Sequence, residues 1–137
     1  MEIQAEWGVI RFLSPEWLAA LAAAASANER LCQAVTGIDL TVRQVVLGGP
    51  GGDVAYSLRL VHGTATVTTG DDDDADVRIV QDYDTAASIS NGDITPAAAF
   101  AAGRLKLGGR VDQLIRHADV AAGLDDLFGS LRAATSY

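Results

Sequence analysis

The apolar positions of this chain change their period several times. Ser14-Pro15-Glu16 has the chemistry of a helix start: a hydroxyl to cap free amides, a proline whose missing N–H costs nothing at the first helical position, and an acid facing the positive helix end. Trp17, Leu18, Leu21 and the alanines after them predict a helix running to about Ala27. Ile3 to Phe12 alternate loosely and read as an arm or short strand within residues 1–13. From Ile38 to Gln81 the period is two: Ile38, Leu40 and Val42, then Val54, Tyr56, Leu58 and Leu60, then Ala65 and Val67, then Val77 and Ile79, each set alternating with mostly polar neighbours. Gly48-Gly49-Pro50-Gly51-Gly52, His62-Gly63, and Gly70 with its aspartates supply turn chemistry between the runs. The first three strands are therefore expected to form an antiparallel meander with one buried and one wet face.

After Gln81 the helical period returns. Asp84 is placed to cap a helix through Ala87 and Ile89 that stops at Asn91-Gly92, and Thr95-Pro96 to cap another through Ala99 and Phe100 that stops at Gly103. Leu105 and Leu107, flanked by Arg104 and Lys106, predict a fifth short strand ending at Gly108-Gly109. Val111, Leu114, Ile115 and Ala118 then share one helical face, as do Leu124, Leu127, Phe128 and Leu131, with Gly123 expected to break the helix between them. Strands followed by helices indicate an α+β fold: a five-stranded, largely antiparallel sheet with helices packed on one face.

Composition narrows the function classes. One domain is expected over residues 1–137. Ten basic residues against eighteen acidic ones give a net charge of −8, which opposes binding to a phosphate backbone, so nucleic acid is not expected as a partner. The single cysteine, Cys32, allows no internal disulfide, and no export signal or membrane span is visible; the expected location is cytoplasmic. Asp71 to Asp74 with Asp76 lack the glycine and glutamate of a calcium loop, and the glycines between residues 48 and 52 precede no lysine, so neither a metal nor a phosphate site is expected. His62 and His117 stand in no metal-ligand spacing, no serine lies in a nucleophile elbow, and Cys32 has no evident base. Neither a catalytic residue nor a cofactor is expected.

Several segments together carry a resemblance. Asp76-Val77-Arg78-Ile79, Asn91-Gly92-Asp93-Ile94, Thr95-Pro96-Ala97-Ala98-Ala99-Phe100 and Gly103-Arg104-Leu105-Lys106-Leu107-Gly108-Gly109 resemble, in this order, the sterol carrier protein type 2 family. Leu13-Ser14-Pro15-Glu16-Trp17 is similar to the opening of its bacterial single-domain members. Gly108-Gly109-Arg110 departs from the Gly-Asp pair commoner in the family. The resemblance implies an apolar tunnel between sheet and helices that holds a fatty acid, acyl-CoA or sterol-like lipid, and no covalent chemistry. The residues alone leave the cavity open as a question: alanine-rich helices at Ala19 to Ala25 and Ala97 to Ala102 fill little volume, or pack close to the sheet and leave none.

The functional expectation is non-catalytic binding or transfer of a hydrophobic ligand, with an accessory or protein-interaction domain of the same fold as the alternative. The expected tunnel residues are Ile89, Phe100, Leu105, Leu107, Leu114, Leu124, Leu127, Phe128 and Leu131, and the stretch from Gly123 to Leu131 is expected to act as a lid. Arg104, Lys106, Arg110 and Arg116 fall within one short stretch and read either as solvated positions or as a patch for transient docking on anionic headgroups.

Overall fold

Ser14 begins the first helix as its chemistry requires: its hydroxyl accepts a hydrogen bond from the Trp17 amide at 3.1 Å, and α1 spans Pro15–Ala27. The computed structural model describes residues 10–69 and 74–137, with Leu114 described by its backbone alone; Ile3 and the start of the arm, Gly70 and Asp71 to Asp73 lie outside the described residues. Ahead of α1, Ile10–Arg11 form a two-residue strand, β1, which pairs in parallel with β7 (Thr135–Ser136). Asn28 ends α1 and caps a second short helix, α2 (Glu29–Ala34), through a bond to the Leu31 amide at 2.9 Å.

The main sheet contains β2 (Asp39–Gly49), β3 (Gly52–Val61), β4 (Thr64–Thr69), β5 (Val77–Asp82) and β6 (Lys106–Gly109), in the spatial order β4-β3-β2-β5-β6. The predicted meander is β2-β3-β4, antiparallel throughout. His62 and Gly63 turn β3 into β4 with φ of 48° and 84°, the left-handed pair that matches the strand twist of a tight hairpin. β5 returns beside β2 in parallel, and β6 closes the other edge antiparallel to β5.

Register places Leu40, Val42, Gln44 and Val46 of β2 on the same face as Tyr56, Leu58 and Leu60 of β3 and Val77, Ile79 and Gln81 of β5. This face carries the core. The opposite face is wet at Asp39, Arg59, Arg78 and Lys106, but at its centre Thr41, Arg43 and Ser57 are buried, and Arg43 Nη1 donates to Ser57 Oγ at 3.4 Å. A uniformly wet outer face is thus not what the chain forms.

Two local expectations are corrected. The cap of α3 (Tyr83–Ser90) is Asp82, whose carboxylate accepts from the Thr85 amide at 2.7 Å; Asp84 lies within the first turn. The break among the last helices falls at His117, between α5 (Val111–Arg116) and α6 (Ala118–Leu131), while Gly123 sits inside α6. An added Cβ on Gly123 would stand 3.0 Å from the Leu31 Cα, so this glycine permits close approach of α6 to α2. α4 (Pro96–Ala101) is capped by Thr95 as expected, its hydroxyl accepting from the Ala98 amide at 3.1 Å.

Candidate functional site

A cavity of about 150 Å³ lies between the inner face of the sheet and the helices. Its floor is Gln44 and Val46 from β2, Tyr56 from β3, and Ile79 and Gln81 from β5. α3 contributes Ala86, Ile89 and Ser90, α6 contributes Ala121, Leu124, Asp125 and Phe128, and Phe12, Pro96 and Leu105 complete the wall. Phe12 is held by an aromatic cluster, edge-on to Trp17 at 4.9 Å between ring centroids and 5.1 Å from Tyr137. The cavity is therefore bounded by the sheet below and by helices α3 and α6, the start of α4 and an aromatic wall around it.

Most of the lining is apolar, with three polar side chains at the floor. Gln44 stands directly opposite Tyr56 in the β2–β3 register, and Gln81 Nε2 donates to Gln44 Oε1 at 2.8 Å across the β2–β5 pair. Burial pushes the Tyr56 phenol well above its ordinary range, because the phenolate would lose its hydration. It is a neutral hydroxyl at physiological pH. Among the described residues no arginine or lysine lines the cavity, and its one acidic side chain is the exposed Asp125.

The expected tunnel residues divide. Ile89, Leu105, Leu124 and Phe128 line the cavity. Leu127 is fully buried in the main core, Leu131 packs against that core, and Leu107 is paired with Ile79 on β6 without lining the cavity. Phe100 is 55% exposed, a correction to its expected inward position. Ala99 takes the buried position on α4 and Phe100, the next residue, is turned about 100° away from it. The side chain of Leu114 lies outside the described residues, and its neighbour Ile115 is exposed.

The basic stretch is largely engaged with its surroundings. Arg104 Nε donates to the buried Thr85 hydroxyl at 3.0 Å, Arg110 pairs with Asp76 at 3.8 Å, Arg116 pairs with Asp112 one helical turn away at 3.6 Å, and Lys106 is exposed. Asp76, from the acidic run, also accepts from the Thr41 amide through its carboxylate at 2.9 Å, so it anchors β2 to the start of β5. His62 is exposed in its turn, and Cys32 is half-buried with Sγ near the Ala25 and Ser26 carbonyls. Among the described residues no group of three or more potential metal ligands occurs.

Lining residues absent from the sequence reading include Phe12, Gln44, Tyr56, Gln81 and Ser90. A signal for two of them was present: Gln44 and Gln81 occupy inward positions of alternating runs, where a polar side chain needs a reason.

The fold is that of a small α+β domain with a mostly apolar cavity between sheet and helices, open to solvent beside Pro96, Ala121 and Asp125. A family model for the SCP-2 sterol transfer family matches residues 18–117, and the chain belongs to that family, which is one of lipid binding and transfer. A Thermus thermophilus protein described as a possible sterol carrier protein superposes with a TM-score of 0.71 at 24% identity, covering 92% of this chain and 91% of that one. A crystal structure of sterol carrier protein 2 gives 0.70 at 24% identity, with 88% and 97% covered. A palmitated sterol carrier protein 2-like protein of Aedes aegypti gives 0.52 at 18%, with 85% and 95% covered. The sec-alkyl sulfatase PisA1 contains a similar fold, with a TM-score of 0.56 at 20% identity over 78% of this chain but 16% of the enzyme. No curated protein sequence matches the chain significantly. No helix of the described residues is long and apolar enough to cross a membrane.

Proposed function

We propose that this protein binds, and passes on, a hydrophobic ligand such as a fatty acyl or sterol-like lipid, held in the cavity between β2, β3, β5 and helices α3 and α6. The observation that carries the reading is the cavity itself: Val46, Ile79, Leu105, Leu124 and Phe128 surround a space of about 150 Å³ that the side chains leave unfilled. The cavity opens to solvent beside Pro96, Ala121 and Asp125, so its apolar walls face water until a ligand covers them, and covering them is favourable. Burying an acyl chain gains about 0.8 kcal/mol per methylene, which makes occupation favourable without any covalent step. That the Aedes aegypti protein of similar fold is described as palmitated supports this reading.

A second reading is favoured by the fold's occurrence as a small segment of PisA1: the domain serves beside an enzyme and uses its outer surface. Native mass spectrometry of gently purified protein separates the two. A co-purifying lipid mass, followed by saturable uptake of a fluorescent acyl probe by the delipidated protein, is the expected result. An empty protein that, intact and folded, takes up neither fatty acids, acyl-CoA nor sterols leaves the accessory role.

A further inference from the structure

The floor of the cavity is polar in a way that the apolar walls do not explain. Tyr56 is only 4% exposed, and its hydroxyl makes no hydrogen bond among the described residues. Among the described residues no fully buried side-chain oxygen or nitrogen is without a partner, so this hydroxyl retains some accessible surface, and Tyr56 lines the cavity. Beside it, the Gln44–Gln81 pair spends one amide donor and one carbonyl oxygen on itself. Among the described residues the Gln44 amide N–H groups and the Gln81 carbonyl oxygen make no further hydrogen bond, which leaves them for a guest. Donors and acceptors therefore converge from three adjacent strands, β3, β2 and β5, onto one end of an apolar space.

Resting on the carrier reading above, we infer that Tyr56, Gln44 and Gln81 form a neutral hydrogen-bonding floor that selects lipids carrying an uncharged hydroxyl over free carboxylates. A hydroxyl both donates and accepts, which matches a floor that offers both. An alkyl end pressed against the same groups would strip them of water and return no bond. A carboxylate reaching the floor would bring its charge into a low-dielectric space with no cation to meet it and with Asp125 on the wall, which disfavours the ionised form. The Tyr56 phenol, kept neutral by burial, supplies a donor and not a second negative charge. Because the side chains sit on central strands held by pairing on both sides, their positions are fixed before the ligand arrives.

The test compares three guests of matched length: 1-decanol, 1-methoxynonane, which accepts but cannot donate, and decanoate. Each displaces the neutral probe N-phenyl-1-naphthylamine from delipidated protein at pH 7.5, and each is also scored by its effect on the melting temperature. Decanol is expected to bind about tenfold more tightly than decanoate and severalfold more tightly than the ether. In Tyr56→Phe, and separately in Gln44→Leu/Gln81→Leu, decanol should lose about fivefold while the ether and the probe change less than twofold. Either variant suffices if the other does not melt cooperatively. Decanoate binding as tightly as decanol, or an alcohol-to-ether ratio unchanged in the folded variants, overturns the floor while leaving the carrier function standing. No binding of the probe or of any guest overturns the carrier function and the floor together.

Discussion

Gly123 shows how one missing methyl group decides where a helix can lie. A Cβ there would meet the Leu31 Cα and Cδ1, each at 3.0 Å, and backbone does not yield as a flexible side chain does. Gly123→Ala gains roughly 1 kcal/mol of helix propensity but overpacks the α2–α6 contact by about 1–3 kcal/mol, so the expected outcome is a net loss in urea denaturation. Gly129→Ala is the control on the same helix. Its added Cβ would meet only the Arg132 guanidinium, at 3.8 Å, and stability should rise by about 1 kcal/mol. A stabilised Gly123→Ala protein would show that α6 can move off α2 without cost. Phe100→Ala should alter stability by less than about 0.5 kcal/mol, since its ring is largely in water; a loss of several kcal/mol would place it back in the core.

At the scale of elements, caps were legible in the sequence where one residue alone could serve. Ser14 and Thr95 each precede a proline, and both cap as expected. Asp82 and Asp84 compete for the same role, and composition does not separate them; the extent of β5 does, because the strand ends at Asp82, which leaves its carboxylate next to the Thr85 amide of the first helical turn. The Thr85 backbone amide, then its side chain, hold the Asp82 carboxyl below its ordinary value of 3.8. A depressed carboxylate contributes stability above its unfolded value, and that contribution is lost as the pH falls through the folded one. Asp82→Ala should therefore cost about 1 kcal/mol at pH 7, and the gap from the natural chain should close as the pH falls below 3.8. A gap that persists in acid would mean the loss comes from packing and not from the charged cap. The strands were legible because alternation is a two-residue signal. Gly123 was not, since a glycine that breaks a helix and one that lets helices touch look alike until the partner is known. For the site, Ile89, Leu105, Leu124 and Phe128, and the inward direction of Tyr56, could be read from helix and strand periods, whereas Phe12 reaches the cavity through packing with Trp17 and Tyr137 from elements far apart in sequence.

If the protein carries a long acyl chain as proposed, the molecule as a whole must admit a ligand larger than this cavity. Drug-sized guests occupy pockets of roughly 300–1,000 Å³, so a space of about 150 Å³ has to widen to take a long acyl chain. The sheet cannot yield without breaking strand pairs. α6 is a poor gate as well, despite the apolar face from Leu124 to Leu131, because Val120, Gly123 and Leu127 on its other side are buried against the core and α2. α3 is tied at Ser90, whose carbonyl accepts from Arg132 Nε at 2.9 Å and whose hydroxyl bonds to the Tyr137 hydroxyl at 2.8 Å. α4 is the least anchored wall: Ala99 is its one buried residue, while Pro96 at its start borders the cavity. Segments with few buried apolar side chains open at low free energy, so opening should begin there. Hydrogen exchange is the measurement. The amides of residues 97–104 are expected to exchange faster than those of residues 120–128 in the empty protein, and to slow on saturation with 1-decanol while residues 120–128 change little. Faster exchange in residues 120–128, abolished by the ligand, would instead make the last long helix the gate that its apolar face alone suggests.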